Sequence, residues 1–580
     1  MHIKNIIKKD IKNALKKIVQ VYDYDPFIKL NNKIQRGHYQ INNLIKISKI
    51  LKIKPFELSQ KIIFHIQQKK RYQKITFSQP GFINIFLNLL WLSKKLNNIF
   101  HSFRLGIPQD SNKKNVVIDY SSPNVAKEMH VGHLRSTIIG DVMVRVLIFL
   151  GHNVIRANHV GDWGTQFGML IAYLKHKKLI KKLEKNTISL IQLEQFYFKA
   201  KKKYDNDVWF AKKSRYYVVK LQYKDPICYS IWKKIVHITL VENQKIYNKL
   251  NVTLKDTDVM GESLYNDMLP DIVMDLKNKK IAIEKNGAIV VHLKEFNNRL
   301  GESMGVIIQK KDKGFLYSTI DIACIKYRCE TFNADRIIYY TDSRQHQYLI
   351  QIWTIAKKAN YVSNTVTLEH HMFGMMLNKD KRPFKTRDGN TIKLTALLNK
   401  SQKKAEKIIN YKKPTLSKRK KIKLSNIIGI SAIKYADLSK NRNTDYVFDW
   451  EKILSFEGNT APYIQYAYTR IMSILKKSNI SVLKIKENIL LTHNSEIKLA
   501  LKILEFEEII ILISKFGTPH ILCQYLYNLA TSFSNFYENC SILFSEKINI
   551  RKSRLKLSFL TAKTIKKGLH ILGIKTVKKM

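Results

Sequence analysis

The sequence predicts a multidomain chain of α/β plus all-α class, with a parallel-sheet domain between a small N-terminal region of helices and short strands and a C-terminal helical bundle. Three observations carry this. Strand-length apolar runs alternate with helical periodicity from about residue 115 to residue 400, the pattern of βαβ units and so of a parallel sheet. Beyond about Lys400 strands nearly disappear and amphipathic helical periodicity takes over. The length of 580 residues suggests about three or four domains, and 45% hydrophobic residues with 11% aromatics suffice for real cores, which argues against wholesale disorder.

Taken in order, Met1 to about Phe103 reads as helices and short strands, closing with GFINIFLNLL, where Phe82, Ile83, Ile85 and Leu87 suggest a buried strand. PQDSNKK, Pro108 to Lys114, reads as a linker, so the first domain is expected over 1–107. NVVIDY is then a short buried strand, HLRSTIIGDVMVRVLIFLG a helix closed by Gly151, and HNVIRANHVGD the next strand, together a βαβ unit. The sheet domain is expected over 108–400, with a lysine-rich helical insertion near 175–251 and further strands at GAIVVHL, RIIYYTD and VTLEHHM. A helical connecting segment is expected over 401–450, with KKPTLSKRKKIKLS as an exposed basic loop, and a helical domain over 451–580. No internal repeat is visible.

Lys plus Arg number 102 against 45 Asp plus Glu, a formal charge of +57. Such an excess suits a polyanionic partner, because cations facing phosphates release condensed counterions. Codon drift toward Lys, Ile and Asn is an equal source of it, and composition does not separate the two. The cysteines, Cys228, Cys324, Cys329, Cys523 and Cys540, are few and scattered, which predicts a reducing compartment without a disulfide framework. There is no CxxC pair, so structural zinc is not expected. The start MHIKNIIKKDIKNALKKI lacks the apolar core of a signal peptide, and no uncharged apolar run approaches the ~20 residues a membrane span needs. The expectation is a cytoplasmic chain without membrane attachment.

Directly after the first sheet-domain strand stands SSPNVAKEMHVGHLRST, Ser121 to Thr137. His130 and His133 flank Gly132 where a long helix begins, and a helix N-terminus offers free N–H groups and partial positive charge to an anion. Imidazoles there can donate to phosphate oxygens whose charge grows during reaction, and Gly132 allows close approach. Four letters alone are unspecific; their place between strand and helix gives them weight.

This stretch, with NHVGDWGTQFGML (Asn158 to Leu170), resembles the nucleotide-binding signature of class I aminoacyl-tRNA synthetases in its arginyl form. The resemblance continues through GESLYN, LYSTIDIACIKYR, YYTDSRQHQYLIQIW, EHHMFGMML and EGNTAPYIQYAYTR, nearly the whole chain. It implies a Rossmann-type parallel-sheet catalytic domain, a small α+β N-terminal domain touching the tRNA corner, and a C-terminal helical anticodon-binding domain. The implied activity is ATP-dependent ligation of L-arginine to its tRNA through an arginyl-adenylate, for protein synthesis. ATP is then a substrate accompanied by Mg²⁺, and the implied state is a monomer. His130, Gly132 and His133 would bind ATP.

Arginine's planar fork of N–H donors is met best by fixed carboxylates and neutral acceptors. Tyr317 and Asp321 stand i,i+4 in a helical stretch and can share a face, and Gln345 follows strand RIIYYTDS at the end where parallel sheets bind ligands. By resemblance, Asp321 and Glu262 hold the guanidinium, Tyr317 and Gln345 complete the pocket, and Asn124 and His159 engage the α-amino or carboxylate end. The second class I signature is degenerate: PFKTRDGNTIKL carries Lys385 and Arg387 without a second lysine in the expected place. The resemblance implies that Lys127, just before HxGH, compensates. Asn390 stands where relatives carry a glycine, and Asn tolerates left-handed backbone. Tyr463, Tyr466 and Tyr468 with Arg470 are candidate tRNA contacts, since anticodon bases stack on aromatic and guanidinium planes, although each tyrosine equally suits a core.

Two rivals stand beside this reading. A synthetase for another amino acid, such as cysteine, lacks support because no zinc-type cysteines occur and the pocket carries carboxylates. A non-catalytic RNA-binding protein of the same fold would not need His130, His133, Asp321 and Gln345 intact.

Overall fold

The computed structural model describes residues 2–19, 24–31, 33–297, 301, 303–383, 391–545 and 547–577. At the N-terminus α1 (Ile3–Val19) buries Ile3, Ile7, Ile11 and Ala14 and leaves its lysines outside, the stripe that a 3.6-residue period makes. Next come β1 (Ile28–Leu30), β2 (Tyr39–Ile41), α2 (Leu44–Leu51), α3 (Pro55–Ile66), β3 (Tyr72–Ser78) and β4 (Phe82–Leu87). The strands form an antiparallel sheet in the order β1-β2-β4-β3, and β4 buries Ile83, Ile85 and Leu87. Asn88 caps α4 (Leu89–His101) by accepting from the N–H groups of Leu90 and Trp91. α4 then docks on the C-terminal helices, where Lys563 donates to the carbonyl of Phe100 at 2.8 Å.

The βαβ unit is β5 (Asn115–Asp119), α5 (Val131–Leu150) and β6 (Asn153–Ala157). Gly151 ends α5 in a left-handed conformation, φ +94°, with its N–H on the last-turn carbonyls. α6 (Thr165–His176) leads into the inserted helices α7 (Ile180–Glu184), α8 (Leu190–Asn206), α9 (Val208–Gln222) and α10 (Pro226–Leu250), which pack with it round Phe167, Leu170, Phe210 and Trp232. α11 (Leu269–Asn278) leads to β7 (Ala282–Lys285), β8 (Ala288–Asn297) and β9 (Ser303–Gln309), a separate antiparallel sheet. GAIVVHL is therefore a strand, but in this side sheet; hairpin pairing with β7 and β9 takes its backbone groups.

α12 (Tyr317–Phe332), β10 (Arg336–Tyr339), α13 (His346–Lys358) and β11 (Thr367–His370) complete the central layer, and β12 (Met376–Leu377) follows outside its sheet. The parallel sheet runs β11-β10-β5-β6. β5 is thus flanked by its own successor on one side and by a much later strand on the other. The C-terminal end of β5 is a topological switch point, where open parallel sheets leave a ligand crevice.

α14 (Leu394–Lys412) and α15 (Lys418–Leu438) then pack as a helical hairpin, and β13 (Tyr446–Val447) pairs parallel with β12, returning the connecting segment to the sheet domain. Here the expected loop KKPTLSKRKKIKLS is corrected. From Lys418 onward it is helix, because Lys and Arg are good helix formers and Leu424 and Ile428 anchor the face that follows. α16 (Trp450–Ile453), α17 (Ala461–Lys477), α18 (Asn494–Leu504), α19 (Phe506–Phe516), α20 (His520–Asn539) and α21 (Ile548–Ile571) complete the chain.

α5 is the axle of the molecule. Its buried Arg135 donates to the carbonyls of Gly374 (2.8 Å) and Thr444 (3.0 Å) and pairs with Asp437 (3.3 Å). Nearly three turns on, Arg145 pairs with Asp141 at 2.8 Å and donates to the carbonyl of Asn251, while the buried Lys434 donates to the carbonyls of Leu250 and Gly573. These bonds join α5, α10, α15 and the end of α21. All five cysteines are free thiols. Among the described residues no helix is long and apolar enough to cross a membrane.

Candidate active site

The HxGH turn sits at the switch point as the N-terminus of α5. His130 is its N-cap, with extended backbone, and its Nδ1 accepts from the N–H of Gly132 at 3.1 Å; His133 Nδ1 accepts from the N–H of His130 at 3.1 Å. The two rings lie 3.9 Å apart. An imidazole that accepts at Nδ1 carries its proton on Nε2, so each ring keeps Nε2–H as its donor. Burial pushes His133 down to about 3, with His130 adding to it, and burial followed by Lys393 lowers His130. Both are neutral donors at pH 7. A Cβ on residue 132 would lie 2.8–2.9 Å from the His130 ring, which is why glycine stands there.

Three of the arginine candidates stand on segments that meet just beyond the strands carrying this turn. Asn124 bridges Gly161 by backbone, Asn158 bridges Val259, and the N–H of Glu262 bonds the carbonyl of Val160 at 3.1 Å. Asn124 and His159 therefore lie on adjoining segments just beyond β5 and β6, and Glu262 opens the short 3-10 helix (Glu262–Met268) next to them. Asp321, in the first turns of α12, stands 3.8 Å from His159 Nε2 and accepts from the Tyr348 hydroxyl. Burial opposes protonation of His159, but Cys324, Asp119 and Asp321 outweigh it and raise its pKa to about 10. Burial pushes Glu262 up to about 7, with His159 opposing and Asp162 and Asp321 reinforcing. Tyr317 is 65% exposed at the start of α12, open to a ligand. Beneath them the buried Arg328 holds Asp119 at 2.6 Å, fixing the floor at the end of β5.

Gln345 is exposed in the turn after β10, and it is Tyr348 of α13 that reaches Asp321. Sequence reasoning missed Tyr348, whose only local signal is its place one helical turn after Gln345. It also missed Asp119 and Asp162; Asp162 accepts from the N–H and hydroxyl of Ser263 at 2.9 and 2.7 Å and so holds the segment bearing Glu262. Lys127 lies 4.4 Å above the Tyr197 ring. Lys385, Arg387 and Asn390 lie outside the described residues. On α17, Tyr463 packs against Tyr527 at the edge of the core and Tyr468 is buried, so packing holds both; Tyr466 is 46% exposed, and Arg470 stacks 4.3 Å from the Tyr537 ring.

A parallel sheet whose switch point carries an HxGH helix start, with the buried carboxyls of Glu262 and Asp321 at the same sheet end, is the arrangement of a class I aminoacyl-tRNA synthetase. Comparison with known proteins narrows this. The chain matches the family model "tRNA synthetases class I (R), catalytic domain" over residues 95–450, the DALR anticodon binding domain over 464–580 and the arginyl tRNA synthetase N terminal domain over 5–87. It is 68% identical over 580 residues, the whole of both chains, to an arginine–tRNA ligase of Buchnera aphidicola subsp. Acyrthosiphon pisum (strain Tuc7). The arginyl-tRNA synthetase of Plasmodium falciparum aligns with all of this chain and 99% of its own at a TM-score of 0.85 and 34% identity. That of Thermus thermophilus shares the fold over the full length of both, TM-score 0.80 at 21% identity. The chain belongs to the arginyl-tRNA synthetase family.

Proposed function

We propose a residue-level account of the family's reaction, the ATP-dependent joining of L-arginine to its tRNA. The observation that carries it is the pair of neutral Nε2–H donors on the HxGH turn beside the Asp321–Glu262 cleft, one half suited to phosphate and the other to guanidinium. Glu262 and Asp321 take the guanidinium, with Tyr317 and Gln345 closing the pocket. Asn124 and His159 hold the α-amino and carboxylate end, where a protonated His159 suits a carboxylate. A carboxylate oxygen of arginine attacks the α-phosphorus, the bond to the β-phosphate oxygen breaks, and pyrophosphate leaves with the electron pair. His130 and His133 donate to the phosphate oxygens as their charge grows, and Gly132 lets the nucleotide approach. The terminal ribose hydroxyl of tRNA then attacks the adenylate carbonyl and AMP departs, a step governed mainly by orientation.

Lys127, Lys385 and Arg387 are the proposed cations for pyrophosphate. Mg²⁺ would arrive on the triphosphate, since it keeps several waters and binds mainly through substrate phosphates; among the described residues no group of His, Cys, Asp or Glu forms a metal cage. We propose the division into a tRNA-corner domain 1–107, a catalytic domain 108–400 with its insertion, a connecting segment 401–450 and an anticodon domain 451–580. Tyr466 and Arg470 are the proposed tRNA contacts on α17, Tyr463 serving there through packing. The proposed state is a cytoplasmic monomer.

The assay is arginine-dependent ATP–pyrophosphate exchange and charging of total tRNA, with each other amino acid as competitor. Charging of tRNA with cysteine in preference to arginine would overturn the pocket assignment. Because the Glu262 carboxyl holds its proton up to about pH 7 in the empty site, arginine must displace that proton below pH 7 and need not above it. The KM for arginine should therefore rise as pH falls below 7, by up to about tenfold per unit, and level off above 8. Glu262→Gln should flatten this profile; a flat profile in the unaltered enzyme removes Glu262 from the pocket. Lys418, Arg419, Lys420 and Lys423 are exposed at the start of α15. Their replacement by Gln should change stability by less than ~0.5 kcal/mol each and leave charging rates within about twofold; collapse of charging would make that basic helix a tRNA surface.

A further inference from the structure

Two lysines flank the HxGH turn, and one inserted helix holds both. Lys127 lies over the ring of Tyr197, and Lys393 donates to both carboxylate oxygens of Glu194; Tyr197 and Glu194 both stand on α8. The backbone fixes the position of Lys393. Its residue forms an isolated antiparallel bridge with His130 itself. On either side of that bridge the N–H of Val131 bonds the carbonyl of Ile392, and the N–H of Leu394 bonds the carbonyl of Met129, each at 2.9 Å. The ammonium is thus tied to the turn that presents the two imidazole donors, and it lies near enough to lower the proton affinity of both rings.

Glu194 is the unexpected partner. Its carboxylate is nearly buried, 11% exposed, beside a site whose ligand is a polyanion, while the Lys393 side chain is 34% exposed. A carboxylate there repels a triphosphate unless its charge is cancelled, and Lys393 cancels it. A triphosphate carries several negative charges against one, so it competes effectively for the same ammonium. The degenerate second signature makes such a cation useful, since the segment that ends at Lys393 lacks the second lysine of its class.

We propose that Lys393 is a further phosphate-binding cation, held on Glu194 in the free enzyme and passed to the ATP phosphates when the nucleotide occupies the HxGH turn. This rests on the reading that the turn binds ATP. When the bond between the α-phosphorus and the β-phosphate oxygen breaks, the electron pair leaves on pyrophosphate, and the Lys393 ammonium neutralises part of that charge without giving up a proton. Glu194 acts through Lys393 as a positioning residue, and α8 thereby couples the insertion to the nucleotide site.

The test uses the full chain and steady-state arginylation with ATP and arginine varied separately. Lys393→Met should lower kcat/KM for ATP by about tenfold or more with arginine KM within about twofold, and Lys393→Arg should recover most of the loss. Glu194→Gln frees the lysine and should raise kcat/KM for ATP by about two- to fivefold. A structural tether predicts the opposite for Glu194→Gln, a loss matching that of Lys393→Met. The proposal is overturned by unchanged ATP kinetics in Lys393→Met, or by a Glu194→Gln enzyme at or below the unaltered one, and the latter decides alone if Lys393→Met does not fold. Failure of the site reading itself is separable, because His133→Ala would then leave ATP turnover intact.

Discussion

Asp321→Asn should raise the KM for arginine by roughly 30- to 1,000-fold, the range expected when one partner of a desolvated charge pair is neutralised at a cost of about 2–4 kcal/mol. Asp321 is prepared for a cation before one arrives. Tyr348 donates to one carboxylate oxygen and His159 stands 3.8 Å from the other. Burial raises the carboxyl's proton affinity, and His159 and the Tyr348 hydroxyl counter that. The asparagine keeps the volume and can still accept from Tyr348, so the loss reports the charge rather than a cavity. Two readings accompany it: KM for ATP should stay within about twofold, because the proposed role of this carboxylate is toward the guanidinium and not the phosphates, and Tyr348→Phe should cost far less. Equal losses toward ATP and arginine would show that Asp321 supports the fold of the crevice instead of the ligand.

His133→Ala should lower kcat by about 10²–10³, the cost of one preorganised donor to a developing charge, with little change in arginine KM. Nδ1 of the ring accepts from the His130 N–H, and in the proposed role Nε2–H donates to phosphate. Losing the first acceptor weakens the start of α5 by about 1 kcal/mol, a cap effect that thermal unfolding measures separately. His133→Asn restores an acceptor and a donor of similar reach and should recover part of kcat. Because burial holds His133 near 3, its donor is present throughout the working range, so kcat should show no step from this ring between about pH 5.5 and 8. A kcat unaffected by His133→Ala would sink the assignment of the turn to ATP.

Much of the candidate site is legible in the sequence because its signals are local. HxGH can be read from a strand ending at Asp119 and a helix opening at Val131, and Tyr317 with Asp321 from one helical turn. The rest depends on pairs far apart in the chain. Tyr348 meets Asp321 across 27 positions and Lys393 meets Glu194 across 199, and such contacts leave no periodicity in either segment. The tyrosines of α17 show the same limit: Tyr463, Tyr466 and Tyr468 look alike in sequence, and only their angular position against α20 and α21 makes one exposed and the others packed.

The charge of +57 divides along this line too. Its sign suits a tRNA substrate, but composition alone does not separate that from codon drift; what the sequence alone determined is the succession of strands and helices and the residue types that could meet phosphate and guanidinium. Periodicity, turn chemistry and composition act over a few neighbouring residues, so they are written where they are read. The tertiary structure decided which strands share a sheet, that KRKKIKLS is helix rather than loop, and which lysines stand beside the HxGH turn. Those outcomes follow from burying apolar faces and pairing backbone groups across the whole chain, where the free energy depends on partners that no local segment specifies.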